Sequence, residues 1–250
     1  MRTRAPCSAL LALAASLAAG RAFADQPPAI DAMANMHRDG VYHTFVLETD
    51  LSRRHGADTA QWDLDGWIGG DLNKLWLKSE GEITGGKTQN AEAWALYSRN
   101  IAAYWDAQAG VRYDAGSDLP DAKAHTYLVG GVTGLAPYGF ETEAHLFVRD
   151  DGAISARLRQ ENEWLLTQRL IMKPRLEINL NTRRDPAAGL GAGITDASLG
   201  LQTRYEFRRA FAPYLDVTCR QKFGATAGYV RARGEKPNET RVSAGIRWMF

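Results

Sequence analysis

The stretch YGFETEAHLFVR, residues 138–149, decides the fold. Tyr138, Phe140, Thr142, Ala144, Leu146 and Val148 fall on one face of an extended chain. Gly139, Glu141, Glu143, His145, Phe147 and Arg149 fall on the other. Side chains alternate across a strand, so this period of two is a strand signal. A slip of one residue would carry two glutamates and an arginine into the apolar layer, so the pattern itself fixes the register.

The same alternation runs outward in both directions. In residues 169–181, Leu170, Met172, Pro174, Leu176, Ile178 and Leu180 alternate with Arg169, Lys173, Arg175, Glu177 and Asn179. Pro174 cannot donate a ladder hydrogen bond and predicts a bulge or local defect. Alternating runs predict twelve strands, at 42–51, 59–68, 72–83, 91–100, 103–113, 124–133, 138–149, 153–165, 169–181, 195–208, 213–222 and 241–250. Residues 223–235 alternate weakly and read as a loop with a short helix. Tight connections at 69–71, 100–102, 134–137, 166–168 and 209–212 contrast with longer ones, notably 182–194 and 223–240; the turn at 150–152 is a short exception.

An even strand count, with short turns at one end and longer loops at the other, is the pattern of an outer-membrane barrel. The expected fold is therefore an all-β, antiparallel, up-and-down transmembrane barrel of about twelve strands. Both termini are expected in the periplasm. In the last strand Val242, Ala244, Ile246, Trp248 and the terminal Phe250 share one face, as an outer-membrane insertion signal would. The seven tryptophans, at 62, 67, 76, 94, 105, 164 and 248, read mostly as interfacial girdles. A soluble sandwich or lipocalin-like barrel also alternates, but explains neither the final aromatic strand nor the leader.

That leader is residues 1–24. Arg2 and Arg4 precede an Ala/Leu-rich run, and Ala22-Phe23-Ala24 forms a small-x-small cleavage site. The run is about twelve residues, too short for a spanning helix of roughly twenty. Cleavage leaves about 226 residues, enough for one sizeable domain. It shifts the net charge from +1 to about −2 and leaves Cys219 as the single cysteine, which excludes an internal disulfide. Neither charge points to nucleic acid. Residues 25–40 read as a short periplasmic tail, and 41–250 as the barrel.

A resemblance runs through the barrel. GWIGGD at 66–71 and LWLKSEGE at 75–82 are followed by GVRYD at 110–114 and GLAPY at 134–138. LLTQRL at 165–170, PRLE at 174–177, LGL at 199–201, RYE at 204–206, FAPY at 211–214 and GIR at 245–247 come next, in order. On these motifs the chain resembles the outer-membrane copper resistance protein B family. The resemblance implies an outer-membrane location, a role in copper tolerance in Gram-negative bacteria, and movement or retention of copper ions beside a periplasmic copper protein. Family members often carry a long Met-, His- and Asp-rich N-terminal segment. The tail at 25–40 is short, which argues against high-capacity storage here.

With copper as the expected cargo, two ligand groups stand out. Thioethers and imidazoles suit Cu(I); imidazole with carboxylate suits Cu(II). Met33, Met36 and His37 lie close together on the tail, with His43 at the strand start. In the lumen, His145 shares its face with Glu141 and Glu143. Glu82, Glu161, Glu163 and Met249 are also expected inside. The same interior holds Arg112, Arg149, Arg157, Arg159, Arg169, Arg175, Arg204, Arg208 and Arg247, so a bracing Arg–carboxylate lattice is the competing reading. Cys219 is expected on the lipid face. Ser155 with His145 is the nearest approach to a hydrolase pair and is a poor one, so the expectation is a non-enzymatic monomer in contact with outer-membrane lipid. The alternative is a metal-blind narrow channel or structural barrel.

Overall fold

The computed structural model describes residues 40–54, 56–115 and 123–250. The leader and most of the tail, with Met33, Met36 and His37, lie outside the described residues. Within Val41–Met249 the chain forms one closed sheet. Its strands are β1 (Tyr42–Arg54), β2 (Ala57–Gly69), β3 (Asn73–Thr84), β4 (Lys87–Ala102), β5 (Trp105–Ala115), β6 (His125–Ala136) and β7 (Phe140–Arg149). There follow β8 (Ile154–Glu161), β9 (Trp164–Leu165), β10 (Leu170–Asn181), β11 (Gly193–Tyr205), β12 (Phe211–Lys222) and β13 (Asn238–Met249). One helix, α1 (Gly224–Ala232), fills the connection where a short helix is expected.

Each strand pairs antiparallel with its neighbours, and β1 closes on β13 from Val46↔Met249 to Ser52↔Ser243. Closure leaves no free edge, which is what lets a sheet cross a bilayer. No helix of the described residues is long and apolar enough to cross a membrane. β8 and β9 both pair with β10 and make one wall strand, so the barrel has twelve wall positions. The interruption, at Asn162 and Glu163, lies opposite Pro174 and Lys173. Pro174 has no N–H to give, so its neighbour strand breaks there, and Asn162 N–H instead donates to the Pro174 carbonyl (3.2 Å). The defect that Pro174 predicts thus falls in the partner strand; the bulge within β10 itself is at Asn179/Leu180.

Alternation sorts the side chains as the sequence requires. Along β7, Leu146 and Val148 are exposed on the outer face while His145, Phe147 and Arg149 are buried inside. Cys219 is exposed on the outer face of β12 with Leu215 and Val217. Three tryptophans depart from the girdle reading. Trp94 is buried in an internal cluster with Leu96, Val129 and Phe147, Trp76 packs against that cluster, and Trp67 lies beneath the Lys74 ammonium. Strand parity puts them with the charged residues of β2, β3 and β4, and parity outranks residue type.

Connection lengths differ less than expected. β3 ends one residue later than 72–83, β4 extends beyond 91–100 at both ends, and the two meet in a two-residue turn, Gly85-Gly86. Both glycines have positive φ (57° and 78°), as the tight hairpin turn matched to sheet twist demands. The long connections are 182–192 and 223–237, and they pack together: Gly191 N–H donates to Thr226 Oγ1 of α1 (2.8 Å). They mark the loop end. The chain enters β1 and leaves β13 at the opposite, turn end.

Candidate functional site

The interior is the candidate site. Its frame is a cation–aromatic stack. Arg112 of β5 lies over Trp94, Tyr127 and Phe147, with its guanidinium carbon 5.2, 5.0 and 4.8 Å from the ring centroids. Arg157 of β8 covers the Trp94 ring (5.5 Å). Both donate to Glu92 of β4, at 2.9 and 3.1 Å. The aromatic faces give the guanidiniums an attractive surface while the fork meets the carboxylate.

Beside this stack, ion pairs cross the lumen. Arg159 of β8 donates to Glu80 of β3 (2.9 Å) and to Glu177 of β10 (3.0 Å). Lys78 of β3, 5% exposed, lies 2.6 Å from Glu143 of β7 and 2.7 Å from Asp65 of β2. Arg175 reaches Asp216 (2.9 Å), and Arg204 reaches Glu163 (2.8 Å). The lattice reading is therefore observed directly. Its membership differs in two ways from expectation. Arg169 and Arg208 are exposed in turns; both lie beyond the last full strand pair, where parity no longer directs them. Lys74, Lys78 and Arg241 also belong to the interior, with Lys173, and the parity that set Lys173 beside Arg175 could have found them.

The lattice divides the interior. A cavity of about 490 Å³ lies towards the loop end, and one of about 510 Å³ towards the turn end. Eight carboxylates and five cationic side chains line the turn-end cavity; counting Lys78, behind Asp65 and Glu143, still leaves carboxylates in excess. The loop-end cavity is capped where Arg149 donates to Asp151 (2.6 Å) and Asp185 (2.5 Å), and Arg183 adds a second bond to Asp151 (2.7 Å). The Arg149 guanidinium holds the Asp151 carboxyl below its ordinary range. At Asp185 burial works the other way, but the Arg149 hydrogen bond prevails and the carboxyl is again lowered.

The sequence-selected residues land apart. His145 is buried; its Nε2 meets Gln108 Oε1 at 2.8 Å and its ring stands edge-on to Trp94, 5.5 Å between centroids. Gly131, directly opposite, makes room: a Cβ there would sit 2.6 Å from His145 Cδ2 and 2.3 Å from the Ala144 carbonyl. Glu143 is taken by Lys78. Glu141 is exposed at the turn end, opposite Glu161, which pairs with Lys173. His43 is exposed on the outer face of β1, with Leu47 and Leu51. Among the described residues no three His, Cys, Asp or Glu side chains converge as a metal site. Ser155 stands opposite Phe147 rather than beside the His145 Nε2.

The model of a family described as copper resistance protein B precursor matches residues 42–250. A copper resistance protein B from Escherichia coli is 39% identical over 216 residues, 86% of this chain and 72% of that protein. A copper resistance protein B homolog from Pseudomonas syringae pv. tomato is 40% identical over the same shares. Among solved structures, a NanC porin superposes with a TM-score of 0.56 at 9% identity, covering 81% of this chain and 98% of its own. A KdgM porin gives 0.52 at 11% identity, covering 83% and 99%. At such identities the porins speak to the fold alone, that of an outer-membrane barrel.

Proposed function

The chain belongs to the copper resistance protein B family, and from that membership we propose that this outer-membrane barrel binds copper ions and moves or holds them at the cell envelope, without catalysis. The observation that carries the reading is the carboxylate excess in the turn-end cavity. A cleft lined by one sign of charge between low-dielectric walls concentrates the opposite ion, so this interior favours cations. The short-turn end is assigned to the periplasm by the barrel rule. Copper arriving there would meet the carboxylate of Glu141 and, deeper in the lumen, Glu143 and His145; Met33, Met36 and His37 of the tail, with His43 at the start of β1, are candidate ligands by residue type. A periplasmic copper protein would dock at that end, and the exposed apolar outer faces would contact outer-membrane lipid around a monomer.

A second reading, a metal-blind narrow channel, is favoured by one fact: Glu143 and His145 already have protein partners. One titration separates the two. The mature protein, refolded in detergent, is titrated with Cu(I) and Cu(II), with Zn(II) as control. Two variants run beside it, Met33→Ala/Met36→Ala/His37→Ala and Glu141→Gln/His145→Ala. Stoichiometric binding lost in the first variant alone makes the tail the capture site. Binding lost in the second alone places it in the lumen. No copper bound by the wild type would leave the metal-blind reading.

A further inference from the structure

The two cavities share four lining residues, Glu48, Asp63, Arg159 and Arg175. Anything passing between them passes these side chains. Three have protein partners. Glu48 accepts from Gln202 Nε2 (2.8 Å) and faces Arg247 (3.5 Å). Arg159 is divided between Glu80 and Glu177, and Arg175 is on Asp216. Asp63 accepts no hydrogen bond and closes no ion pair among the described residues, and the charges around it are Glu80, Arg159, Glu48 and Asp65.

The register explains this isolation. Asp63 of β2 stands directly opposite Glu48 of β1 on one side and Glu80 of β3 on the other. Like charges opposed across a sheet are destabilising, and the same register runs on through Glu92 of β4 to Asp114 of β5, so five carboxylates occupy one rung. Its one cationic neighbour, Arg159, is already held by two other carboxylates. Gln202 gives a second sign. It is 2% exposed, spends its amide nitrogen on Glu48, and leaves Oε1 with no protein partner, a buried oxygen beside the same rung.

We propose that Asp63 is the selectivity-determining residue of the lumen, its missing counter-charge supplied by a hydrated cation in transit from one cavity to the other. This rests on the barrel conducting cations, copper among them. The outer rung carboxylates keep their protein partners, so the ion meets one unpaired charge and is not trapped. Asp63→Asn removes that charge at constant shape and also relieves the repulsion with Glu48 and Glu80, so the barrel should fold.

The test is the K⁺-to-Cl⁻ permeability ratio, from the reversal potential of the refolded mature protein in planar bilayers under a KCl gradient, repeated with Cu(II). The wild type is expected to prefer K⁺. Asp63→Asn should lower the ratio by about tenfold, the low end of what charge focusing supplies, and Asp63→Glu should retain it. Asp63→Ser serves as a second neutral variant, and heat-modifiable gel migration confirms folding of each. A cation-selective wild type whose ratio survives both neutral substitutions overturns the role of Asp63 and leaves the conduit standing. A wild type that passes neither K⁺ nor Cu(II) overturns both.

Discussion

The two cavities of the lumen are similar in volume and built on opposite principles. Towards the loop end, every cationic lining residue is an arginine; Arg112, Arg149 and Arg157 each grip a carboxylate through two nitrogens, and Trp94, Tyr127 and Phe147 are stacked behind Arg112. Towards the turn end, Lys74 and Lys173 join Arg159, Arg175 and Arg247, and Glu141 has no ion pair among the described residues. A guanidinium fixes two oxygens in one geometry, whereas an ammonium is a mobile point charge. The first half of the lumen is therefore a brace, and the second is where the proposed cation would find oxygen ligands to share. Charge count alone would not have distinguished them, since carboxylates are in excess in both.

The largest expected effect tests the brace. Glu92→Gln leaves Arg112 and Arg157 without their shared carboxylate. Breaking a buried pair from one side costs about 3–5 kcal/mol, because the remaining charge stays buried. Glu141→Gln, at the turn end, should stay within about 0.5 kcal/mol, as surface changes do. Urea unfolding of the two refolded variants measures both, and equal losses would erase the distinction between the halves.

A smaller effect is expected where the halves meet. Gly131→Ala drives a methyl group into His145 and the Ala144 carbonyl, and overpacking of this kind costs about 1–3 kcal/mol. The His145–Gln108 contact should open, and nuclear magnetic resonance of the His145 ring would report its change of environment. An unchanged ring signal would mean that the imidazole is held by Trp94 and not by the space over Gly131.

The smallest effect concerns the cap. Asp151 and Asp185 both have folded-state carboxyls lowered below the ordinary 3.8. A lowered carboxyl stabilises above its unfolded value and loses that contribution as pH falls through the folded one. Protection of residues 182–192 against hydrogen exchange should thus be level from pH 7 down to about 5, begin to fall below 3.8, and be lost at lower pH. Arg149→Lys, which replaces the fork by a point charge, should show reduced protection already at neutral pH. Loss of protection beginning near pH 6 would point instead to a histidine.

The halves also differ in how far the sequence exposes them. Glu141, Glu143 and His145 could be assigned to the lumen from period two alone, and Leu146, Val148 and Cys219 to the lipid side. Trp76, Trp94 and Lys78 were open to the same reading, but tryptophan's preference for interfaces pulled the first two outwards. Glu143 pairing with Lys78 was not legible, because sixty-five residues separate them and only curvature of the sheet brings β3 across from β7. Asp63 was equally hidden. Its isolation depends on which neighbours reach across the lumen, and a period of two says which face a side chain takes but not what it meets there.

By itself the sequence determined the strand period, the near-complete set of strands, the inner and outer faces, the helix before the last strand, and the family. These are local or pairwise properties, fixed by alternation and by turn residues such as Gly69-Gly70-Asp71. Only the tertiary structure decided that the lumen is partitioned, that arginines brace one part, and that Asp63 stands unpaired at the junction. Those facts arise from closure of the sheet, which brings distant strands into facing contact and leaves each charge to be satisfied by whatever the opposite wall presents.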